Sequence, residues 1–204
     1  MDATVTVTGI GQASAVPDEA TVRLAAVQRA ANVGEAFAVV STTVDTIVEI
    51  AQRHTERTRI STRDLVVWPA HDNQGQQVGW ECRHSLSVTL ADLTQAGALI
   101  TEVAAEVGER MVIDGVGLSV SDPSAALARA RDAAMNDARE RAEQYAQHAG
   151  LSVGQVLRVS EGPGHAEAPV AFGGAERMMA MKDASLEPGE RQVPASVTVT
   201  WALL

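Results

Sequence analysis

The sequence predicts an α+β protein, an antiparallel or mixed sheet with helices packed on one face. Two observations predict it. Several segments alternate apolar and polar residues with a period of two, as half-buried strands do. Between them, three longer segments carry apolar residues three and four apart, as amphipathic helices do. In chain order they read β-β-α-β-β-α-β-α-β-β, and the inner β-α-β-β-α-β segment has the form of a split βαβ arrangement.

Residues 3–10 alternate Val5 and Val7 with Thr4, Thr6 and Thr8, a strand. Gly9-Ile10-Gly11 is expected to loosen or bulge its end, and Pro17-Asp18 to turn the chain. Residues 20–31 form a second strand with Val22, Leu24 and Ala26 on one face. Helical spacing then sets in over 33–54, where Phe37, Val40, Val44, Ile47, Val48 and Ala51 make one stripe, with Asn32 as N-cap and Glu35 three residues on. Strands follow at 60–70 and 78–90, joined by the polar hairpin loop His71-Asp72-Asn73-Gln74-Gly75-Gln76. In the second of these, Trp80, Cys82, His84, Leu86, Val88 and Leu90 face one way, and Glu81, Arg83, Ser85, Ser87 and Thr89 the other.

A second helix at about 92–107 turns Leu93, Ala96, Ile100, Val103 and Val107 inward, and a strand at 113–120 follows. The third helix, about 123–149, is the best signalled. Asp122 is a good N-cap and Pro123 suits the first turn, where a missing N–H costs nothing. Ala126, Ala130, Ala134, Ala138, Ala142 and Ala146 recur every four residues, a stripe that permits close approach to a neighbour, and Gly150 and Leu151 fit a left-handed helix stop. Strands at 154–160 and from Val193 to Leu203 complete the order. Between them lies an irregular stretch, 162–190, rich in Gly, Pro, Ala and Met.

At 204 residues and 46% hydrophobic composition, the chain can bury a sizeable core. Aromatics are only 3%, so Val, Leu, Ile and Ala must fill it. A net charge of -10 argues against nucleic acid and against anionic membrane surfaces, both of which need clustered Lys and Arg. No segment approaches the length of a membrane span. The N-terminus has no basic and apolar leader pattern, which predicts a cytoplasmic protein, or a periplasmic or secreted one whose leader has been removed.

Candidate chemistry is sparse, and no cofactor is expected. Gly9-x-Gly11 lacks the third glycine and the strand-to-helix setting of a dinucleotide loop. Cys82 and His84, two apart on one strand face, would need His71 or His54 to make a metal or thiol–base site. They read as core residues, with Cys82 a weak candidate for redox sensing. Met178, Met179 and Met181, with His165 nearby in sequence, are the weak metal candidates: thioethers suit Cu(I), and they also oxidise reversibly, while packing is the plainer reading. On the third helix, Arg129, Arg131, Arg139 and Arg141 interleave with Asp132, Asp137, Glu140 and Glu143, a solvated or subunit-facing surface. No nucleophile elbow or HExxH motif is present, so no catalytic residue is predicted.

Several segments together resemble a bacterial envelope-stress family. Val7-Thr8-Gly9-Ile10-Gly11-Gln12-Ala13 and Val16-Pro17-Asp18-Glu19-Ala20-Thr21-Val22 are similar to the opening signature of the SIMPL-domain family. Gly79-Trp80-Glu81 with Leu86-Ser87-Val88, Ile113-Asp114-Gly115-Val116, Ser121-Asp122-Pro123, Arg141-Ala142-Glu143-Gln144-Tyr145-Ala146 and Ser196-Val197-Thr198-Val199-Thr200-Trp201 match its later segments in order. The resemblance implies one SIMPL-like domain over 1–204, relatives that include periplasmic oxidative-stress-defence and immunogenic proteins, a homo-oligomer, and no established catalytic residues. The expected function is therefore a non-catalytic, self-associating protein of stress tolerance. A Cu(I)- or small-ligand-binding module using 162–190, and an enzyme of unknown class, are the alternatives.

Overall fold

A computed structural model describes residues 3–162 and 187–204. The elements are β1 (Thr4–Ala15), β2 (Glu19–Ala30), α1 (Val33–Ala51), β3 (Ile60–His71), β4 (Gln77–Leu90), α2 (Leu93–Val107), β5 (Met111–Ser119), α3 (Ser124–His148), β6 (Val153–Glu161) and β7 (Arg191–Leu203), in the order the sequence predicts. The fold is α+β and every strand pairing is antiparallel. Alternation along a strand does not name its partner, and the strands divide between two sheets, β3-β4-β2-β5 and β1-β7-β6. The described residues accordingly form two compact units, one of 18–119 and one of 3–17, 120–162 and 189–204.

In the 18–119 unit, α1 and α2 cover one face of the four-stranded sheet. Leu24, Val22 and Ala26 of β2 and Leu86, Val88, Leu90 and Cys82 of β4 meet Val40, Ile47 and Ile50 of α1 and Leu99 and Val103 of α2, all essentially excluded from solvent. At about 1.5–3 kcal/mol for each large aliphatic side chain, this cluster is the main stabiliser of the unit. Asn32 caps α1 as expected, its Oδ1 accepting from the Glu35 amide at 2.9 Å. Phe37, placed on the buried stripe by its spacing, is 45% exposed: the buried face runs through Ala36, Val40, Thr43, Ile47 and Ile50, and Phe37 falls on its flank.

In the second unit, α3 lies on the three-stranded sheet. Ala134, Ala138 and Ala142 pack on Val7, Val197, Val199 and Trp201, and Ala126 and Ala130 on Ala13 and Ala195. Contrary to the loosened or bulged end expected at Gly9-Ile10-Gly11, β1 runs in unbroken register with β7 from Thr4↔Ala202 to Ala15↔Arg191. The two glycines are where the helix backbone touches the strand: a Cβ on Gly9 would fall 2.0 Å from the Ala134 carbonyl oxygen, and one on Gly11 2.1 Å from that of Ala130. The predicted stop is also present. Gly150 is left-handed (φ +71°), Leu151 N–H donates to the Ala146 carbonyl at 2.9 Å, and Gly150 N–H to that of Gln147 at 3.0 Å. At the other end the expected cap is displaced by one residue: the helix begins at Ser124, Pro123 and not Asp122 stands at the N-cap position, and Asp122 Oδ1 accepts from Ser124 N at 2.9 Å from just outside the helix.

Candidate functional site

The two edges of the three-stranded sheet differ. Three backbone groups of β1 are held by α3 side chains: Arg129 donates to the Ser14 carbonyl at 2.9 Å, the Ile10 amide donates to Asp137 Oδ2 at 2.8 Å, and Arg141 donates to the Thr8 carbonyl at 3.2 Å. The bond from Ile10 N–H, with Arg141 beside it, holds the Asp137 carboxyl below the usual carboxylate range. Three of the eight charged residues read as a solvated or subunit-facing surface, Arg129, Asp137 and Arg141, thus hold backbone groups of a strand edge. At the opposite edge, β6 pairs among the described residues only with β7, and residues 155–160 are exposed without a break. Val156 and Val159 are registered with Trp201 and Val199, whose side chains lie under α3. Yet they are 47% and 54% exposed, because α3 sits over β1 and β7.

A second arrangement lies on the face of the four-stranded sheet turned away from α1 and α2. Each outer strand carries a bulge there. On β5 the register passes from Arg23↔Gly115 to Leu24↔Ile113 and skips Asp114. On β3 it passes from Thr62↔Leu86 to Asp64↔Ser85 and skips Arg63. Leu24 pairs with Leu86, so the bulges flank one cross-strand row. An extra residue in a strand re-aims side chains, and bulges concentrate beside functional sites. Here Arg63, Asp64 and Asp114 join Arg23, Ser85 and Leu86 around an open cleft of about 580 Å³.

Gly115, opposite Arg23 at φ +141°, leaves that guanidinium room: a Cβ would come within 3.2 Å of its Nη2. Asp114 pairs with Arg83. Arg23 Nε is buried without a hydrogen-bond acceptor, which costs on the order of 1–3 kcal/mol if left so.

The described candidates do not form a common site. Cys82 is fully buried in the core, and burial pushes its thiol up, away from the depressed range of a reactive thiolate. His84 faces Thr62, its Nε2 2.9 Å from Oγ1, and burial pushes its pKa down. His54 joins α1 to α2, with Nδ1 2.8 Å from Gln95 Oε1 and Nε2 2.7 Å from Glu102 Oε2; Arg53 pairs with the same carboxylate. His71 ends β3, exposed. Among the described residues no three His, Cys, Asp or Glu side chains are grouped as a metal site. Met178, Met179, Met181 and His165 lie outside the described residues. Arg23 and Arg63 were not singled out in the sequence, and Asp114 only within a family motif, since a bulge is a property of two strands together.

No described helix is long and apolar enough to cross a membrane. The chain is 26% identical, over 98% of its length and 85% of theirs, to the 26 kDa periplasmic immunogenic proteins of Brucella melitensis biotype 1 and Brucella abortus strain S19. Among solved structures, a de novo designed protein, Foldit4, aligns over 51% of this chain and 99% of its own at 14% identity, and its TM-score of 0.29 carries no inference. The model of the SIMPL family, described as a protein of unknown function (DUF541), matches residues 5–201, from within β1 to within β7. Since that span takes in both sheets and all three helices, the chain belongs to the SIMPL family.

Proposed function

We propose that the protein is a non-catalytic, self-associating protein of the bacterial cell envelope, and that β6 is where copies meet. The observation that carries this is the asymmetry of the three-stranded sheet: α3 side chains hold three backbone groups along its β1 edge, while on its β6 edge Val156 and Val159 are exposed beside Trp201 and Val199. An antiparallel edge strand is complementary to its own copy about a two-fold axis, so a second molecule supplies both backbone partners and apolar cover. Support for the non-catalytic reading is that Cys82, His54 and His84 each have a structural role, in the core or in hydrogen bonds between elements. The envelope location is carried over from the periplasmic relatives, and a part in stress tolerance from the family resemblance read in the sequence.

Light scattering after size exclusion tests assembly. The wild type is expected to give a discrete mass above that of one chain, stable across micromolar concentrations, and Val156→Lys with Val159→Lys to give a monomer. In cells lacking the native copy, the double variant should fail to restore survival under peroxide or envelope stress. A wild type that stays monomeric at high micromolar concentration sinks the reading, and full rescue by the monomer separates assembly from function.

A further inference from the structure

We propose that the bulged row of the four-stranded sheet binds a small molecule through an oxyanion, a carboxylate or phosphate group, with Arg23 and Arg63 as the ligating side chains. The cleft has three guanidinium groups at or beside it, Arg23, Arg63 and Arg83, against two carboxylates, Asp64 and Asp114. Its local balance is therefore +1, set in a chain whose net charge is -10. Arg83 and Asp114 neutralise each other as a pair. Among the described residues neither Arg23 nor Arg63 makes an ion pair, and Arg23 Nε is buried with no acceptor.

A planar guanidinium presents parallel N–H donors that match the two oxygens of a carboxylate or phosphate, and partial burial strengthens that bond. The geometry around Arg23 is also built rather than incidental. The β5 bulge brings Asp114 onto the open face to hold Arg83, and Gly115 leaves the space that Arg23 takes. On the other side the β3 bulge adds Arg63 next to Asp64. Ser85 offers a hydroxyl between them, and Asp64 an acceptor for a hydroxyl or ammonium elsewhere on the ligand. The two carboxylates do not suit a cation here, because guanidinium groups stand among them.

Equilibrium dialysis of the full chain against labelled inorganic phosphate, and separately against labelled succinate, tests this at fixed ionic strength. Saturable uptake of either anion at one per chain is expected. Uptake of phosphate alone identifies a phosphate group, and of succinate alone a carboxylate. Arg63→Gln, an exposed change on an edge strand that leaves the fold intact, is expected to weaken uptake by roughly tenfold. Arg23→Gln should weaken it further, and Arg139→Gln on α3 should leave it unchanged. Absence of saturable uptake of both anions, or equal uptake by Arg63→Gln and wild type, overturns the proposal whatever the oligomeric state.

Discussion

Gly9 and Gly11 set how close α3 comes to β1. Their missing side chains let the helix backbone at Ala130, Ala134 and Ala138 rest on the strand, and the alanines of the stripe are small enough to keep it there. A methyl group at either glycine meets main-chain atoms of a helix, which cannot rotate aside as a side chain can. Gly9→Ala is expected to cost about 3 kcal/mol or more, and to lower Tm by roughly 6–12 °C in a calorimetric scan. An unchanged Tm would mean that α3 can lift from the strand at little cost. Both halves of this contact were legible separately, the alanine period as a close-packing stripe and the glycine pair as an irregularity. What joined them was not, because a glycine in a strand reads equally as a bulge, a bend or a seat for another backbone.

At the scale of elements, α3 has two jobs for its charged residues. Exposed pairs such as Arg139–Glu143 contribute about 0.3–0.5 kcal/mol each. Asp137 and Arg141 instead satisfy backbone groups of a strand edge. The Asp137 pKa is depressed in the folded state, so its contribution is fully present above the ordinary carboxylate pKa of 3.8 and is lost as pH falls through the folded value. Urea midpoints of wild type and Asp137→Asn should therefore differ at neutral pH and converge as pH falls below the ordinary carboxylate range. A constant gap at every pH would assign the difference to shape and not to charge. Helix ends were the easiest part of the sequence to read, since Asn32 and Gly150 act on backbone groups within a few residues, and Asp122 missed the cap position by one. The cover on β1 was not, because Asp137 and Ile10 are 127 positions apart.

For the molecule as a whole, the order of elements was legible and their grouping was not. Pro17-Asp18 reads as a turn between consecutive strands, and consecutive antiparallel strands commonly pair. Here β1 and β2 belong to different sheets. The bulges at Arg63 and Asp114 escaped for the same reason, since each is defined by a partner strand. Cys82 offers a probe of the larger unit as a whole. Its burial in the central cluster, with its thiol pushed up, predicts negligible reaction with a thiol reagent in the native protein and full reaction once denaturant unfolds that unit. Rapid labelling without denaturant would show that β4 opens independently of global unfolding.

The smaller unit is assembled from the two ends of the described chain, with Thr4 opposite Ala202, while the sheet and helices of the larger come from one run, 18–119, between them. On a ribosome the uninterrupted run has its whole sheet available once β5 has emerged, whereas β1, synthesised first, must wait for the last strand to be made. Until then Val5 and Val7 have no sheet to join, and a chain cut short before Arg191 keeps one complete sheet and loses the other. The first strand of the fold is thus the one whose placement waits for the last.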